Sequence, residues 1–288
     1  MCGIAGHLSF NSPPCSEHIV KMVNRIRHRG PDNQSIWISP KLECVLGHAR
    51  LSIIDLTSAG HQPMIDVETG NSIVFNGEIY NFQILRKECI AAGDTFSSHT
   101  DTEVILKLYR RYGIDCLKKL RGMFAFSLWD EGNKRLFFAR DRVGKKPLNY
   151  SFHNGEFIFC SEIDGLAKYP LISPTIDMEA LDLYLQLQYI PAPWTIYKEI
   201  RKLPSAHFGI FDINGLTIEK YWDIDYFPKL KISGQDALDG LEEILTEAVK
   251  LRMISDVPLG ALLSGGVDSS VIVALMAKLS NTSIRTFS

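Results

Sequence analysis

The chain has 288 residues and a net charge of −2, with 45% hydrophobic and 22% charged residues. This is a soluble globular composition, long enough for about two domains of the usual ~100–200 residues. Acidic and basic residues are mixed, so nothing points to nucleic acid or a charged membrane surface, and neither a signal peptide nor an apolar run near the ~18 residues of a membrane span is present.

The first feature in chain order is Met1-Cys2-Gly3-Ile4-Ala5-Gly6. Cysteine is small enough for an aminopeptidase to remove Met1, which would leave a thiol and a free α-amine on one residue. The amine titrates near pH ~7.7–8.0 and the thiol near ~8.5, so one residue would hold both nucleophile and base. A lone cysteine is more often an ordinary small apolar side chain, and the rest of the chain has to decide. The six cysteines (Cys2, Cys15, Cys44, Cys89, Cys116 and Cys160) form no CxxC pair and are too sparse for a disulfide scaffold. That fits a reducing, cytoplasmic setting.

Up to about residue 165 the pattern predicts mostly strands with two or so helices. Ser72-Ile73-Val74-Phe75 is a short strand running into Asn76-Gly77-Glu78. A helix is predicted over Asp101 to Tyr112, with Thr100 as its N-cap. Met123–Trp129 and Arg135–Ala139 flank a polar turn as a hairpin. A second hairpin joins Leu148–His153 to Glu156–Cys160 through Asn154-Gly155, the pair that a type I′ turn prefers. Antiparallel sheets covered by helices are therefore expected, over residues 2–186. Prolines cluster between Tyr169 and Ile232, and 187–232 reads as a connector with short strands. From Ser233 the period becomes helical, opening on a capping-box spacing, Ser233 to Asp236. A short strand, Val257–Leu263, a glycine-rich loop, Ser264–Ser270, and a helix at Val271–Leu279, apolar almost all round and so expected to be buried, would start a parallel α/β domain over 233–288.

Ser264-Gly265-Gly266-Val267-Asp268-Ser269-Ser270 lies where a strand meets a helix N-terminus, a place suited to phosphate. It lacks the Gly-Lys-Ser/Thr ending of a Walker A loop. Chemistry using this other kind of loop typically splits ATP into AMP and pyrophosphate. Asp268 is a candidate Mg²⁺ ligand, because Mg²⁺ usually takes one or two carboxylates plus phosphate oxygens. His28, His48, His61 and His99 share no metal-ligand spacing and are assigned no metal. Arg29 and Asp32 are expected to hold a loop rather than do chemistry.

Taken together, the chain resembles the glutamine-dependent asparagine synthetase family. The matching stretches include Met1–Gly6, Arg27–Asp32, Gly47–Asp55, His61–Met64, Phe75–Asn81, His99–Glu103 and Ser264–Ser270. The resemblance implies a class II glutamine amidotransferase domain, an α+β N-terminal nucleophile fold built as a four-layer αββα sandwich. It implies that the start of an ATP-pyrophosphatase (PP-loop, adenine nucleotide alpha hydrolase-like) synthetase domain follows. Cys2 would attack the glutamine side-chain amide, with Asn76 and the Gly77 N–H as oxyanion hole. Arg50 would hold the substrate carboxylate, and Glu78 and Asp101 its ammonium, with backbone groups of Ile53 and Ile54 completing the pocket. Leu263, Ser264, Gly265, Gly266, Asp268, Ser269 and Ser270 would bind ATP and Mg²⁺. ATP would adenylate an acceptor carboxylate, aspartate first and a sugar acid as runner-up, and ammonia would displace AMP. Loss of turnover, leaving a regulatory or interaction module, is the reading from another class, and a homodimer stays open.

Four positions at three places depart from the family pattern. Asn149 stands where an aromatic is usual, Ser205-Ala206 where Pro-Gly is usual, and Asp164 where Lys is common. The chain also stops at Phe287-Ser288, where a second strand of the nucleotide domain should continue. On that reading it is a truncated frame, competent at most for glutamine hydrolysis and prone to aggregate through a half-covered sheet.

Overall fold

The computed structural model describes residues 1–288. The chain divides into two compact units, Met1–Asp223 and Ile224–Ser288. In the first, strand β1 (Gly3–Ser9) leads to helix α1 (Ser16–Arg25), and β2 (Asn33–Ile38) and β3 (Cys44–Arg50) follow. Then come β4 (Met64–Ile65), β5 (Ser72–Ile79), α2 (Phe82–Ala91), α3 (Asp101–Tyr112) and the short α4 (Cys116–Lys119). Strands β6 (Gly122–Asp130), β7 (Arg135–Arg140), β8 (Asn149–His153) and β9 (Glu156–Cys160) precede α5 (Ile163–Ala167) and α6 (Met178–Leu187). Strands β10 (Arg201–Lys202), β11 (His207–Asp212) and β12 (Gly215–Lys220) complete it.

The strands form two six-stranded antiparallel sheets. One has the order β10-β8-β9-β1-β3-β2, the other β12-β11-β7-β6-β5-β4. Alternation along each strand assigns side chains to two layers. Ile4 and Leu8 of β1, Leu46 of β3, Val74 of β5, Trp129 of β6 and Phe138 of β7 meet in one cluster between the sheets. Val45 and Ala49 of β3 point the other way and pack with Ile19, Met22 and Val23 of α1. On the second sheet, Phe137 turns outward and stacks on Tyr109 of α3, with ring centroids 5.2 Å apart. Helix, sheet, sheet, helix is the four-layer sandwich that the resemblance implies. Both faces of each sheet are covered, so β3 and β6 read as near-continuous apolar runs rather than as alternating ones.

Both predicted hairpins form. β6 pairs with β7, and β8 with β9, through Asn154 and Gly155 at φ 52° and 76°. The α3 boundaries match the expectation, and the Thr100 hydroxyl accepts the Glu103 N–H. Strands β10 to β12 lie inside the 187–232 segment expected as a connector. β10 pairs with β8 and β11 with β7, so the first unit runs on to Asp223.

The departures from the family pattern have local explanations. Ala206 sits at φ 58°, the left-handed region that glycine tolerates best. The Asn149 amide is buried and donates to the carbonyls of Ser161 (3.0 Å) and Cys160 (3.4 Å), a polar use of a site where an aromatic is usual. Asp164 accepts from Arg25 at 3.1 Å on the surface.

The second unit contains α7 (Gly234–Arg252), β13 (Gly260–Leu262), α8 (Val267–Leu279) and β14 (Arg285–Phe287). The capping box at Ser233 is complete. β13 and β14 pair in parallel, which matches the expected α/β start. Two expectations are corrected. The strand covers Gly260–Leu262 rather than Val257–Leu263, and each of its residues pairs with one of β14. The second helix begins at Val267 and is not buried all round: Leu275 and Met276 are buried, whereas Val271 and Ile272 are 39% and 38% exposed. No helix in the chain is long and apolar enough to cross a membrane.

Truncating Phe138, fully buried between the sheets, to alanine should cost about 3–5 kcal/mol, whereas Leu241→Ala on the open face of α7 should stay within about 0.5 kcal/mol. Urea titrations followed by near-ultraviolet circular dichroism check both values, and equal costs would contradict the layer assignment.

Candidate active site

A cavity of about 360 Å³ is lined by residues from the N-terminus, the C-terminal end of β3, the Leu51–Ile54 loop, the second half of β5 and the start of α3. Cys2, Arg50, Ile53, Ile54, Asn76, Gly77, Glu78 and Asp101 all line it. Every residue that the sequence assigns to glutamine is therefore brought together, although they lie up to 99 positions apart in the chain. Strand parity explains part of this. Cys2 continues the alternation of Ile4 and Leu8, and Arg50 continues that of Leu46 and His48, so both face the space between the sheets.

The Cys2 thiol lies over the loop after β3, 3.6 Å from the Leu51 carbonyl as donor and 3.4 Å from the Leu51 N–H as acceptor. Burial raises its pKa, and the nearby Asp101 adds to the rise; the Leu51 N–H and the N-terminal amine oppose it. The N-terminal amine of Met1 is shifted down, first by burial and then by the cations Lys146 and Arg29. Met1 itself is part of the cavity wall. Arg29, expected only to hold a loop, donates from Nε to the Cys2 carbonyl at 2.9 Å and from Nη1 to Glu162 at 3.0 Å. It thus fixes the backbone of the nucleophile. Asp32 does hold a loop, through the Ser52 N–H at 2.7 Å.

The β5 side of the cavity follows from sheet geometry. β4 pairs with β5 only at Ile73 and Ser72, so beyond Ile73 one edge of β5 has no strand beside it. Alternate residues of a strand turn their N–H groups to that edge. The Phe75 N–H is taken there by Gln62 Oε1 at 2.7 Å, and the Ile79 N–H by Asp101 Oδ2 at 2.9 Å. Gly77 lies between them with the same parity. Its cross-strand partner Phe124 donates its own N–H to the Asp141 carboxylate (3.2 Å), and its carbonyl accepts the Asp141 N–H (2.8 Å). The Gly77 N–H is therefore left facing the cavity. A Cβ at Gly77 would stand 2.2 Å from the Met123 carbonyl oxygen, so only glycine lets β6 lie this close. Beside it, both Nδ2 and Oδ1 of Asn76 are buried without any hydrogen-bond partner. Orphaned buried polar atoms are rare, and this pair belongs to a residue of the cavity wall.

Charge is distributed around the wall. Arg50, 4% exposed, donates from Nη1 to the Thr57 carbonyl at 2.9 Å and from Nη2 to the Asp55 carbonyl. Burial pushes the Asp101 carboxyl up to about 7; the Ile79 N–H opposes this, and Glu78 adds to it. Lys146 was missed by the sequence analysis. It is buried at the cavity wall, and burial lowers its pKa against the opposing charge of Glu78. A lysine beside Lys145 in a loop carries no signal of burial. Gln62 and Thr102 also line the cavity and sit inside matched motifs to which no role was attached.

In the second unit, Leu263–Gly266 links β13 to α8, and Val267–Ser270 form the first turn of that helix. Gly265 has φ 82°, with open space around the position of a Cβ. Gly266 is the N-cap of α8, so the first N–H groups of this 13-residue helix face outward, an arrangement that fits phosphate oxygens. The Leu263 N–H is engaged with the Phe287 carbonyl at 2.8 Å. The Ser269 and Ser270 hydroxyls donate to the Gly266 carbonyl at 3.1 and 2.8 Å rather than pointing away from the helix. Asp268 is the only carboxylate in the Ser264–Ser270 segment. No group of three or more His, Cys, Asp or Glu is placed to hold a metal ion.

Comparison with known proteins agrees with this geometry. Residues 1–222 match the glutamine amidotransferase domain family, and residues 240–288 match the asparagine synthase family. A putative glutamine-hydrolyzing asparagine synthetase 2 of Methanocaldococcus jannaschii is 41% identical, over 100% of this chain and 59% of its own length. Glutamine-hydrolyzing asparagine synthetase 3 of Bacillus subtilis is 37% identical, over 96% of this chain and 45% of its own length. The chain thus spans about half the length of these curated relatives. Among solved structures, the glutamine phosphoribosylpyrophosphate amidotransferase of B. subtilis superimposes with a TM-score of 0.60 at 16% identity, over 99% of this chain and 65% of that one, a likeness of fold alone. With the match over 1–222, the sandwich and the eight residues gathered in one cavity, the chain belongs to the glutamine amidotransferase domain family.

Proposed function

We propose that the chain hydrolyses glutamine to glutamate and ammonia at Cys2, as the nitrogen-supplying half of an asparagine synthetase-like enzyme. The observation that carries this reading is the unpartnered Asn76 amide in the cavity that holds the Cys2 thiol, beside the Gly77 N–H that strand parity turns to the same free edge. Two preorganised donors are what a tetrahedral oxyanion needs.

Removal of Met1 frees the Cys2 α-amine and takes a side chain out of the cavity wall. The amine then takes the thiol proton as sulfur attacks the glutamine side-chain carbonyl carbon. A C–S bond forms, and the negative charge on oxygen is held by Asn76 and Gly77. As the C–N bond breaks, the α-ammonium returns its proton to the leaving nitrogen, giving ammonia and a thioester. Water, deprotonated by the same amine, adds to the thioester, and collapse releases glutamate and restores the thiol. Lys146, which lines the same cavity as Cys2, would support that amine as a free base, because a nearby cation disfavours its protonation. Arg50 faces the substrate carboxylate, and Glu78 and Asp101 face its ammonium. One cation with two carboxylates suits a free zwitterionic amino acid rather than a peptide.

In the second unit Ser264–Ser270 would hold ATP phosphates, with Asp268 toward Mg²⁺. ATP, when bound, supplies the activation of an acceptor carboxylate, for which aspartate is the first choice on the names of the relatives. Six unpaired cysteines suit a cytoplasmic setting.

Glutamate release measured on the Met1-free chain should vanish in Cys2→Ala, and persistence of turnover in that variant would exclude the mechanism. The same variant isolates substrate binding from thiol titration. Asp101 must be ionised to hold an ammonium, and its pKa is raised to about 7, so the stabilising charge is lost as pH falls through that value. Glutamine affinity of Cys2→Ala, read by calorimetry, should weaken roughly fivefold from pH 7 to pH 6, as the ionised fraction drops from about a half to about a tenth. A flat profile would remove Asp101 from the ammonium site.

A further inference from the structure

Phe75 precedes the two oxyanion donors, and side chains from outside its own sheet ladder hold both of its backbone groups. Gln62 Oε1 accepts the Phe75 N–H at 2.7 Å, while Gln62 Nε2 donates to the Thr102 hydroxyl at 3.2 Å, next to Asp101. His48 Nε2 stands 3.1 Å from the Phe75 carbonyl oxygen. A carbonyl can only accept, so the imidazole proton is on Nε2. His48 comes from β3 in the opposite sheet and is fully buried; Gln62 is 6% exposed. Burial pulls the His48 pKa down to about 4, so the ring stays a neutral donor throughout the physiological range. The Phe75 peptide is thereby tied in two directions, to the facing sheet by His48 and to the start of α3 by Gln62, at the point where β5 loses its neighbouring strand.

We propose that His48 and Gln62 are positioning residues for the oxyanion site, fixing the Phe75 peptide so that the Asn76 amide and the Gly77 N–H converge on one oxygen. This rests on the glutaminase reading above. The physical need is clear from the geometry. Oxyanion donors must lie within about 2.7–3.1 Å of the developing charge, and a displacement of about 1 Å costs on the order of a hundredfold in rate. A strand edge with no ladder beyond it cannot hold that tolerance by itself. Merely satisfying a buried peptide would need any two polar partners. Here they come from separate layers and triangulate the residue before the donors.

The test uses the Met1-free 288-residue chain, with His48→Leu and Gln62→Met as variants that remove the bonds and keep volume. His48→Gln and Gln62→Glu retain a donor and an acceptor respectively. Each disruptive variant should lower kcat about tenfold to a hundredfold with KM within about threefold, and the conservative variants should recover most of the loss. Affinity for glutamate γ-semialdehyde, which forms a hemithioacetal oxyanion on Cys2, should fall in parallel with kcat/KM. Alkylation of Cys2 by iodoacetamide is a displacement with no oxyanion, and its rate should not change. Unchanged kcat, a rise confined to KM, or equal loss of turnover and alkylation would each overturn the proposal. If the unmodified chain releases no glutamate, the glutaminase reading fails by itself. Amide exchange at Phe75–Gly77 then decides the positioning role: faster exchange in both disruptive variants supports it, and unchanged exchange overturns it.

Discussion

The uncovered edge of β5 is the constraint on which the site depends. A buried N–H without a partner costs free energy comparable to a lost hydrogen bond, so an edge that loses its neighbouring strand must find substitutes. Over Phe75 to Ile79 the substitutes are Gln62 and Asp101, one on each side of Gly77. What stays unpartnered is the Gly77 N–H with the Asn76 amide beside it. The same shortfall in sheet pairing that would be a liability elsewhere is used here to leave two donors open toward a thiol.

The electrostatics of the cavity follow from the same burial. Desolvation raises Cys2 and Asp101 and lowers Lys146 and the N-terminal amine, so these four groups at the wall are pushed toward their neutral forms. An arriving amino acid carries one charge of each sign. On the proposed reading its ammonium favours the ionised form of Asp101, and its carboxylate adds negative charge for Arg50 to meet. Substrate binding and ionisation of the site are therefore linked. Arg29 and Glu162 stand behind Cys2 much as Gln62 stands behind Phe75, so both the nucleophile and the oxyanion donors rest on backbone held from the rear.

The second unit shows a different balance. Its capping box and helix N-terminal loop are formed locally, and its parallel strand pair joins residues 25 positions apart. Its core is small, gathered around Val249, Leu275 and Met276. Local signals build elements, and only neighbouring layers can bury them.

Motifs bounded by short-range chemistry were legible in the sequence. The Asn154-Gly155 turn, the Thr100 cap, the Ser233 capping box and the strand–loop–helix at Ser264 depend on residues within a few positions of one another. The resemblance then supplied the eight cavity residues. Three kinds of information were not legible. Residues 187–220 contribute β10 to β12 to distant ladders, and a proline-rich segment gives no hint of which strands it will join. How far Val271 and Ile272 are covered depends on what packs against α8, which a helix's own composition does not encode. The parts played by Lys146, Gln62 and His48 arise only where the two sheets and α3 meet. The sequence by itself determined the chemistry available, namely a thiol next to the N-terminus, an amide, an arginine and two carboxylates. The tertiary structure alone decided that β5 runs past its neighbour, and that decision leaves two donors open, because a strand's parity has no meaning until its edges are paired or left free.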